Sequence, residues 1–173
     1  EHFPQDFPKI HLWHYKKFFP LYARKASRIL TVSEFSKNDI CECYDIDPSK
    51  IDVVYNGANE MFSPVDDDVK IKIRNRFSKG KPYFMFVGSL HPRKNLARLF
   101  TAFDIFKNNN DNDIKLLIVG SKKWWTEPIK NAYEAMSHKE DVIFAGRLSA
   151  EDLHLVTASA LASVYVSYFE GFG

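Results

Sequence analysis

The spacing of apolar residues changes along this chain, and the change marks its organisation. From Lys9 to Ala26 an aromatic, basic segment carries Trp13, Tyr15, Phe18, Phe19 and Tyr22, which predicts a helix bent or broken at Pro20. Arg28-Ile29-Leu30-Thr31-Val32 predicts a short strand, and Ser33 or Ser36 can cap a helix running to Tyr44. Asp47-Pro48 marks a turn. Ile51 to Tyr55 predicts a second buried strand, stopped by Asn56-Gly57. Asn59 to Asp68, with Pro64 and the Asp66-Asp67-Asp68 run, is the linker candidate.

Beyond it strands and helices alternate regularly. A helix is predicted near Val69–Phe77, then a strand in the continuous apolar run Tyr83-Phe84-Met85-Phe86-Val87. Leu96, Leu99, Phe100, Phe103 and Phe106 recur at helical spacing up to the polar stretch Asn108–Asp111. Leu116 to Val119 is the next strand, closed by Gly120. Ile129, Ala132, Tyr133 and Met136 mark a helix, and Val142-Ile143-Phe144 a strand running into Ala145-Gly146-Arg147. Ser149 and Asp152 resemble a capping box, with Asp for the usual Glu, at the start of a helix through Ala158. Leu161 to Val166 is the last predicted strand, ahead of Glu170-Gly171-Phe172-Gly173. This alternation implies an α/β fold with a parallel sheet and helices on both faces. Ligands of such sheets bind at the carboxyl ends of the strands. Gly88, Gly120, Gly146 and Gly171 all follow strands and are expected on that edge.

Composition narrows the function classes. The 173 residues are 45% hydrophobic and 15% aromatic, enough for a sizeable core. With 24 Lys plus Arg against 22 Asp plus Glu, the net charge of +2 gives no basic surface on the scale of a nucleic-acid binder. Cys41 and Cys43, two apart in a predicted helix, face different ways, so a disulfide framework or a zinc site is not expected and a cytoplasmic setting fits. No apolar run is long enough to span a bilayer and no signal peptide is present, while peripheral contact at the inner face of a membrane stays open.

Candidate chemistry concentrates after the central strand. Gly88 and the pair Arg93-Lys94 stand between the strand and a helix beginning near Asn95. A helix N-terminus offers free N–H groups and a positive dipole end, and two cations there suit a diphosphate. The spacing is neither a Walker loop, since no second Gly precedes Lys94, nor G-x-G-x-x-G. His2, His11 and His14 lie near the start, but no carboxylate joins the His11–His14 pair at metal-site spacing. Asp45-x-Asp47, Asp66-Asp67-Asp68 and Asp111-x-Asp113 sit in turn-like polar surroundings and read as solvated loops. No metal site is expected.

In order, the segments RILTVSEFSKNDI, IDVVYNG, FVGSLHPRKNL, LLIVG, VIFAGRLS and YFEGFG cover almost the whole chain. Together they resemble the retaining glycosyltransferases of the large group-1 (family 4) type. That resemblance implies a GT-B fold, with residues 1–62 a remnant of the acceptor-side domain and residues 63–173 an incomplete Rossmann-like donor domain. It implies that Lys94 neutralises the donor diphosphate at the Gly88-Ser89 loop. Ser89 stands where an Arg often follows the glycine, so Arg93 is expected to share the role. Glu170 is expected to contact the donor sugar, with Gly171, Phe172 and Gly173 nearby, and Arg147-Leu148 to border the nucleobase. The second glutamate of the family pattern would lie beyond Gly173, and the catalytic-face histidine has no counterpart that aligns. The chain therefore looks like a fragment truncated at both ends, and inactive alone.

The implied reaction moves a hexose, mannose or glucose by family frequency, from a GDP- or UDP-sugar to a glycan or lipid-linked acceptor, with retention. The nucleotide sugar is a substrate, and no cofactor is expected. Placed cations and a helix N-terminus can stabilise a departing diphosphate without metal. A nucleotide-sugar epimerase of the same fold is an alternative that needs facing carboxylate pairs, and none is evident. A non-catalytic nucleotide-binding module is another.

Overall fold

The computed structural model describes residues 1–172. By its contacts the chain divides into two units: Glu1–Ala58 with the residues from Phe169 onward, and Asn59–Tyr168.

In the first unit a short turn at Pro4–Asp6 leads into α1, Lys9–Lys25. This helix runs unbroken through Pro20, so of the expected bend or break the break does not occur. Proline removes one N–H rung, but the ladder resumes beyond it, and Ala26 N still donates to Tyr22 O at 2.9 Å. β1 (Ile29–Thr31) and β2 (Ile51–Val53) pair in parallel, Ile29 opposite Ile51, around the crossover helix α2, Glu34–Tyr44. Ser33 rather than Ser36 is the N-cap, its Oγ accepting from Ser36 N at 3.0 Å. β2 is shorter than the sequence predicts, with one further rung from Val54 N to Thr31 O at 2.8 Å. Among the described residues of this unit, Ile46 and Ile51 are the fully buried ones.

The second unit is a four-stranded parallel sheet in the order β5-β4-β3-β6. Its strands are β3 (Tyr83–Val87), β4 (Lys115–Val119), β5 (Val142–Gly146) and β6 (Ala162–Ser163). Four helices accompany them: α3 (Asp67–Ser78), α4 (Leu96–Asn109), α5 (Glu127–Glu134) and α6 (Ala150–Ser159). Side chains alternate across a strand, and both faces here are covered. Phe86, Leu116 and Ile118 pack with Leu96, Leu99, Phe100 and Phe103 of α4 and Ile129 of α5. Tyr83, Met85, Leu117 and Val119 pack on the other face with Ile73 of α3 and Val156 of α6. The continuous apolar runs of β3 and β4 follow from that double cover.

Two buried polar groups are satisfied within this core. The Tyr83 hydroxyl donates to Val156 O at 2.6 Å, and burial pushes its pKa up to about 12. At the amino edge of the sheet, the buried Asp141 carboxylate pairs with Lys107 at 2.8 Å and also with Lys115. Burial alone would raise its pKa, but the hydrogen bonds and charges of the two lysines outweigh it and hold the carboxyl below its ordinary value.

β6 falls short of the predicted Leu161–Val166 strand. Leu161 N and Val164 N bond to Tyr83 O and Met85 O, both at 2.8 Å, and there the ladder stops. Beyond it side chains take over: the Tyr165 hydroxyl donates to Val87 O, and Asn95 Nδ2 to Val166 O, both at 2.9 Å.

Candidate functional site

Three of the four glycines expected on one edge close neighbouring strands there. Gly88, Gly120 and Gly146 have φ of +152°, +149° and +71°. A Cβ on Gly120 would lie 1.8 Å from the Gly88 carbonyl oxygen, so only glycine lets the two loops meet. Gly88 N donates to Val119 O at 2.9 Å, and Gly120 N to Gly146 O at 2.7 Å, which joins all three strand ends. Gly171 instead belongs by its contacts to the first unit.

Over this edge opens a cavity of about 410 Å³. Of the residues picked out from sequence, Gly88, Ser89, Arg147 and Leu148 line it together. Ser121, Lys123 and Trp124 line it as well, and sequence reasoning missed them. The available signal was the run Lys122-Lys123-Trp124-Trp125 directly after a strand-ending glycine. Ser121 starts this short turn, its Oγ accepting from Lys123 N at 3.3 Å, and Trp124 packs against His91 with ring centroids 5.0 Å apart. The lining carries Lys123 and Arg147 and no carboxylate. Such a pocket suits an anion attached to a planar ring.

Arg93 and Lys94 sit beside this cavity rather than in its lining. They occupy the tight turn Pro92–Lys94, whose cap is His91, Nδ1 accepting from Arg93 N at 3.2 Å. Asn95, at φ +61°, swings the chain from that turn into α4. The Lys94 side chain folds back toward the glycine edge: its Cε lies 3.9 Å from where a Gly88 Cβ would be, and its Nζ 6.0 Å from the centre of the Tyr165 ring. Arg93 O accepts from Tyr168 N at 2.9 Å.

Glu170, Gly171 and Phe172 line a different cavity, of about 290 Å³, with Ser33 and Phe35 of the first unit. The Gly171 carbonyl accepts hydrogen bonds from Ser33 Oγ and, at 2.9 Å, from Ser36 Oγ. Phe169 packs on Phe35 with ring centroids 5.4 Å apart, and Phe172 on Tyr55 at 6.5 Å. Gly173 lies outside the described residues.

The acidic clusters have local structural roles. Asp45 ends α2 in the left-handed region, Asp47 accepts from Ser49 N at 2.8 Å, Asp67 pairs with Lys70 at 2.8 Å, and Asp113 pairs with Lys81. Of the early histidines, His2 bonds Asp39 at 2.6 Å. With Cys43 these form the one group of three metal-capable side chains among the described residues, their ligand atoms within 4.8 Å of one another.

The chain matches the family description "Glycosyl transferases group 1" over residues 67–173 and "Glycosyltransferase Family 4" over residues 1–61. O-antigen chain mannosyltransferase B of Escherichia coli is 23% identical over 171 residues, which is 98% of this chain and 45% of that protein. O-antigen chain mannosyltransferase RfbU of Salmonella typhimurium is 25% identical over 172 residues, 99% of this chain and 44% of that protein. Among solved structures, Anabaena HepE in complex with UDP and glucose is similar with a TM-score of 0.77 at 18% identity, over 98% of this chain and 45% of that one. That likeness bears out the GT-B fold class. The chain spans less than half the length of the curated relatives it matches.

Proposed function

Because the chain belongs to the group-1 glycosyltransferases, we propose that the full-length protein moves a hexose from a nucleotide sugar to a glycan or lipid-linked acceptor, with retention and without metal. The observation that carries this is the cavity at the carboxyl edge of the parallel sheet, lined by two cations and a tryptophan, with Lys94 folded beside its glycine loop. Its size suits a nucleotide, and HepE is described as binding UDP and glucose. Residues 1–62 are assigned to the acceptor side and 63–173 to the donor side, in keeping with the two family matches. The names of the relatives favour mannose, and their O-antigen products favour a surface glycan.

In this reading Arg147, Leu148 and Trp124 border the base, Gly88 and Ser89 let the backbone approach the diphosphate, and Lys94 with Arg93 offsets its charge. Glu170 accepts hydrogen bonds from hydroxyls of the donor sugar, with Gly171, Phe172 and Gly173 beside it. The bond from anomeric carbon to phosphate oxygen breaks while an acceptor hydroxyl oxygen bonds the same carbon. Negative charge builds on the diphosphate, where preplaced cations lower the barrier. With retention the hydroxyl arrives on the leaving face, so the departing phosphate oxygen is in reach of its proton. The donor is consumed as substrate, and no cofactor is required.

No helix among the described residues is long and apolar enough to cross a membrane. We place the protein in the cytoplasm with peripheral contact at the membrane's inner face. Exposed Ile10 and Trp13 on α1, beside Lys16 and Lys17, support that contact.

The test is the full-length protein with GDP- and UDP-hexoses labelled in the sugar. Label passing to a lipid-linked or glycan acceptor is expected. Label recovered only as an epimerised donor would replace transfer by epimerisation. Binding without turnover under every acceptor would leave a nucleotide-binding module.

A further inference from the structure

The Gly171 carbonyl draws a hydroxyl from each of two serines one helical turn apart, at the start of α2. We propose that Ser33 and Ser36 are positioning residues for Glu170: they hold the Gly171–Phe172 peptide, one residue beyond it, and so limit where the carboxylate can stand against the donor sugar. This rests on the proposed sugar-binding role of Glu170.

All the contacts lie within the first unit. Ser33 Oγ has one proton and two lone pairs. It accepts from Ser36 N at 3.0 Å, which caps α2, and its single proton is placed between Gly171 O and, at 3.2 Å, Ser36 Oγ. Ser36 Oγ donates to the same oxygen at 2.9 Å. A carbonyl has two lone pairs, and here both are engaged by side chains separated from it by more than 130 residues of sequence. Fixing that oxygen fixes the Gly171–Phe172 peptide plane. Phe35 against Phe169 and Tyr55 against Phe172 hold the two flanks.

The fit is close. A Cβ on Gly171 would lie 2.8 Å from Ser36 Oγ, and among the described residues no other atom outside its chain neighbours lies within 4 Å of it. A side chain at 171 would displace Ser36 Oγ, so one atom carries both the hydrogen bond and the steric limit. Glu170 lines the same cavity as Ser33. An anchor one residue beyond Glu170 narrows the backbone paths open to it, the condition under which a sugar-binding carboxylate contributes to rate.

The two serines can be separated from a general folding role. Ser33→Asp keeps a strong N-cap acceptor but has no proton for Gly171. Ser36→Ala removes a donor that caps nothing. Each is expected to lower kcat for sugar transfer about five- to tenfold in the full-length protein. Affinity for the nucleoside diphosphate and thermal midpoint should hold. Ser36→Thr, which keeps the hydroxyl, should restore kcat. Gly171→Ala should be poor alone, and adding Ser36→Ala should recover its steric part, so the two changes are not additive.

Hydrogen exchange over residues 166–172 gives a readout free of turnover: Ser36→Ala should speed exchange there and not in β3. Unchanged kcat in Ser36→Ala and Ser33→Asp, with an active unaltered protein, would overturn the proposal and leave sugar transfer standing. A parallel fall in diphosphate affinity and thermal midpoint would also overturn it, in favour of a structural role. No transfer by the unaltered protein would overturn the functional reading and this proposal with it, whatever the exchange shows.

Discussion

Leu117 and Leu30 both sit mid-strand in parallel sheets, yet Leu117 is 0% exposed and Leu30 is 70% exposed. The second unit covers both faces of its four strands with its own helices. The first has two strands and leaves Ile10 at 72% and Trp13 at 57% exposure. A two-stranded sheet depends on helices packed against it for its stability. Apolar composition is similar in kind on either side; what differs is whether the chain supplies a second layer.

Breaking this contrast requires mutations that treat the units alike. Phe100→Ala empties a site among Phe144, Tyr133 and Trp125 and should cost about 3–5 kcal/mol in denaturant unfolding. Leu30→Ala should stay within about 0.5 kcal/mol. Equal costs would mean that the first unit's open face is covered in solution.

Asp141→Asn should cost the second unit about 3 kcal/mol near neutral pH, because Lys107 and Lys115 keep their charges without the counter-ion they share. The pH dependence has a definite sign. A carboxyl whose pKa is lowered on folding stabilises fully above its unfolded value and loses that contribution as pH falls through the folded one. Acid titration of the unaltered second unit should show a loss beginning near pH 4, and the variant should lack that component. An identical acid profile in both proteins would remove Asp141 from the stability of this edge.

The proposed roles of Lys94 and Glu170 sharpen the comparison, since the two residues belong to different units. Lys94→Ala in the full-length protein should weaken nucleoside diphosphate binding by about 1.5–3 kcal/mol and nucleoside binding hardly at all. Calorimetric titration with both ligands checks this, and equal losses would make Lys94 structural. Glu170→Gln should lower kcat/KM for the intact donor by a little more than about tenfold. Diphosphate affinity and thermal midpoint should stay put. A joint loss of all three would take Glu170 out of the sugar site.

What could be read in advance was local. The apolar run Tyr83–Val87 is the strand seen, and Ser149 Oγ accepts from Asp152 N at 3.1 Å as the capping pattern implies. Such features depend on residues within a turn or two. Pro20 misled because a long helix survives one missing rung. The end of β6 misled because apolar spacing does not reveal that Tyr165 and Asn95 side chains replace the ladder. Of the cavity, the glycines and the Arg147-Leu148 loop were legible from their strand-end places. Lys123 and Trp124 were not, because a loop carries no periodicity. Nor was the meeting of Gly171 with Ser33 and Ser36, which only tertiary folding brings together.

The contact between Gly120 and the Gly88 carbonyl also bears on how this scaffold can be re-engineered. The loops after β3 and β4 behave as a single cassette. A library that varies residues 89–94 to change donor choice must leave the Gly88 carbonyl where it is, and a graft from a relative must carry both loops at once. Gly146 has no such steric tie, since among the described residues nothing stands within 4 Å of where its Cβ would be, but its φ of +71° still favours glycine there. Diversity in base recognition is therefore most safely introduced from Arg147 onward.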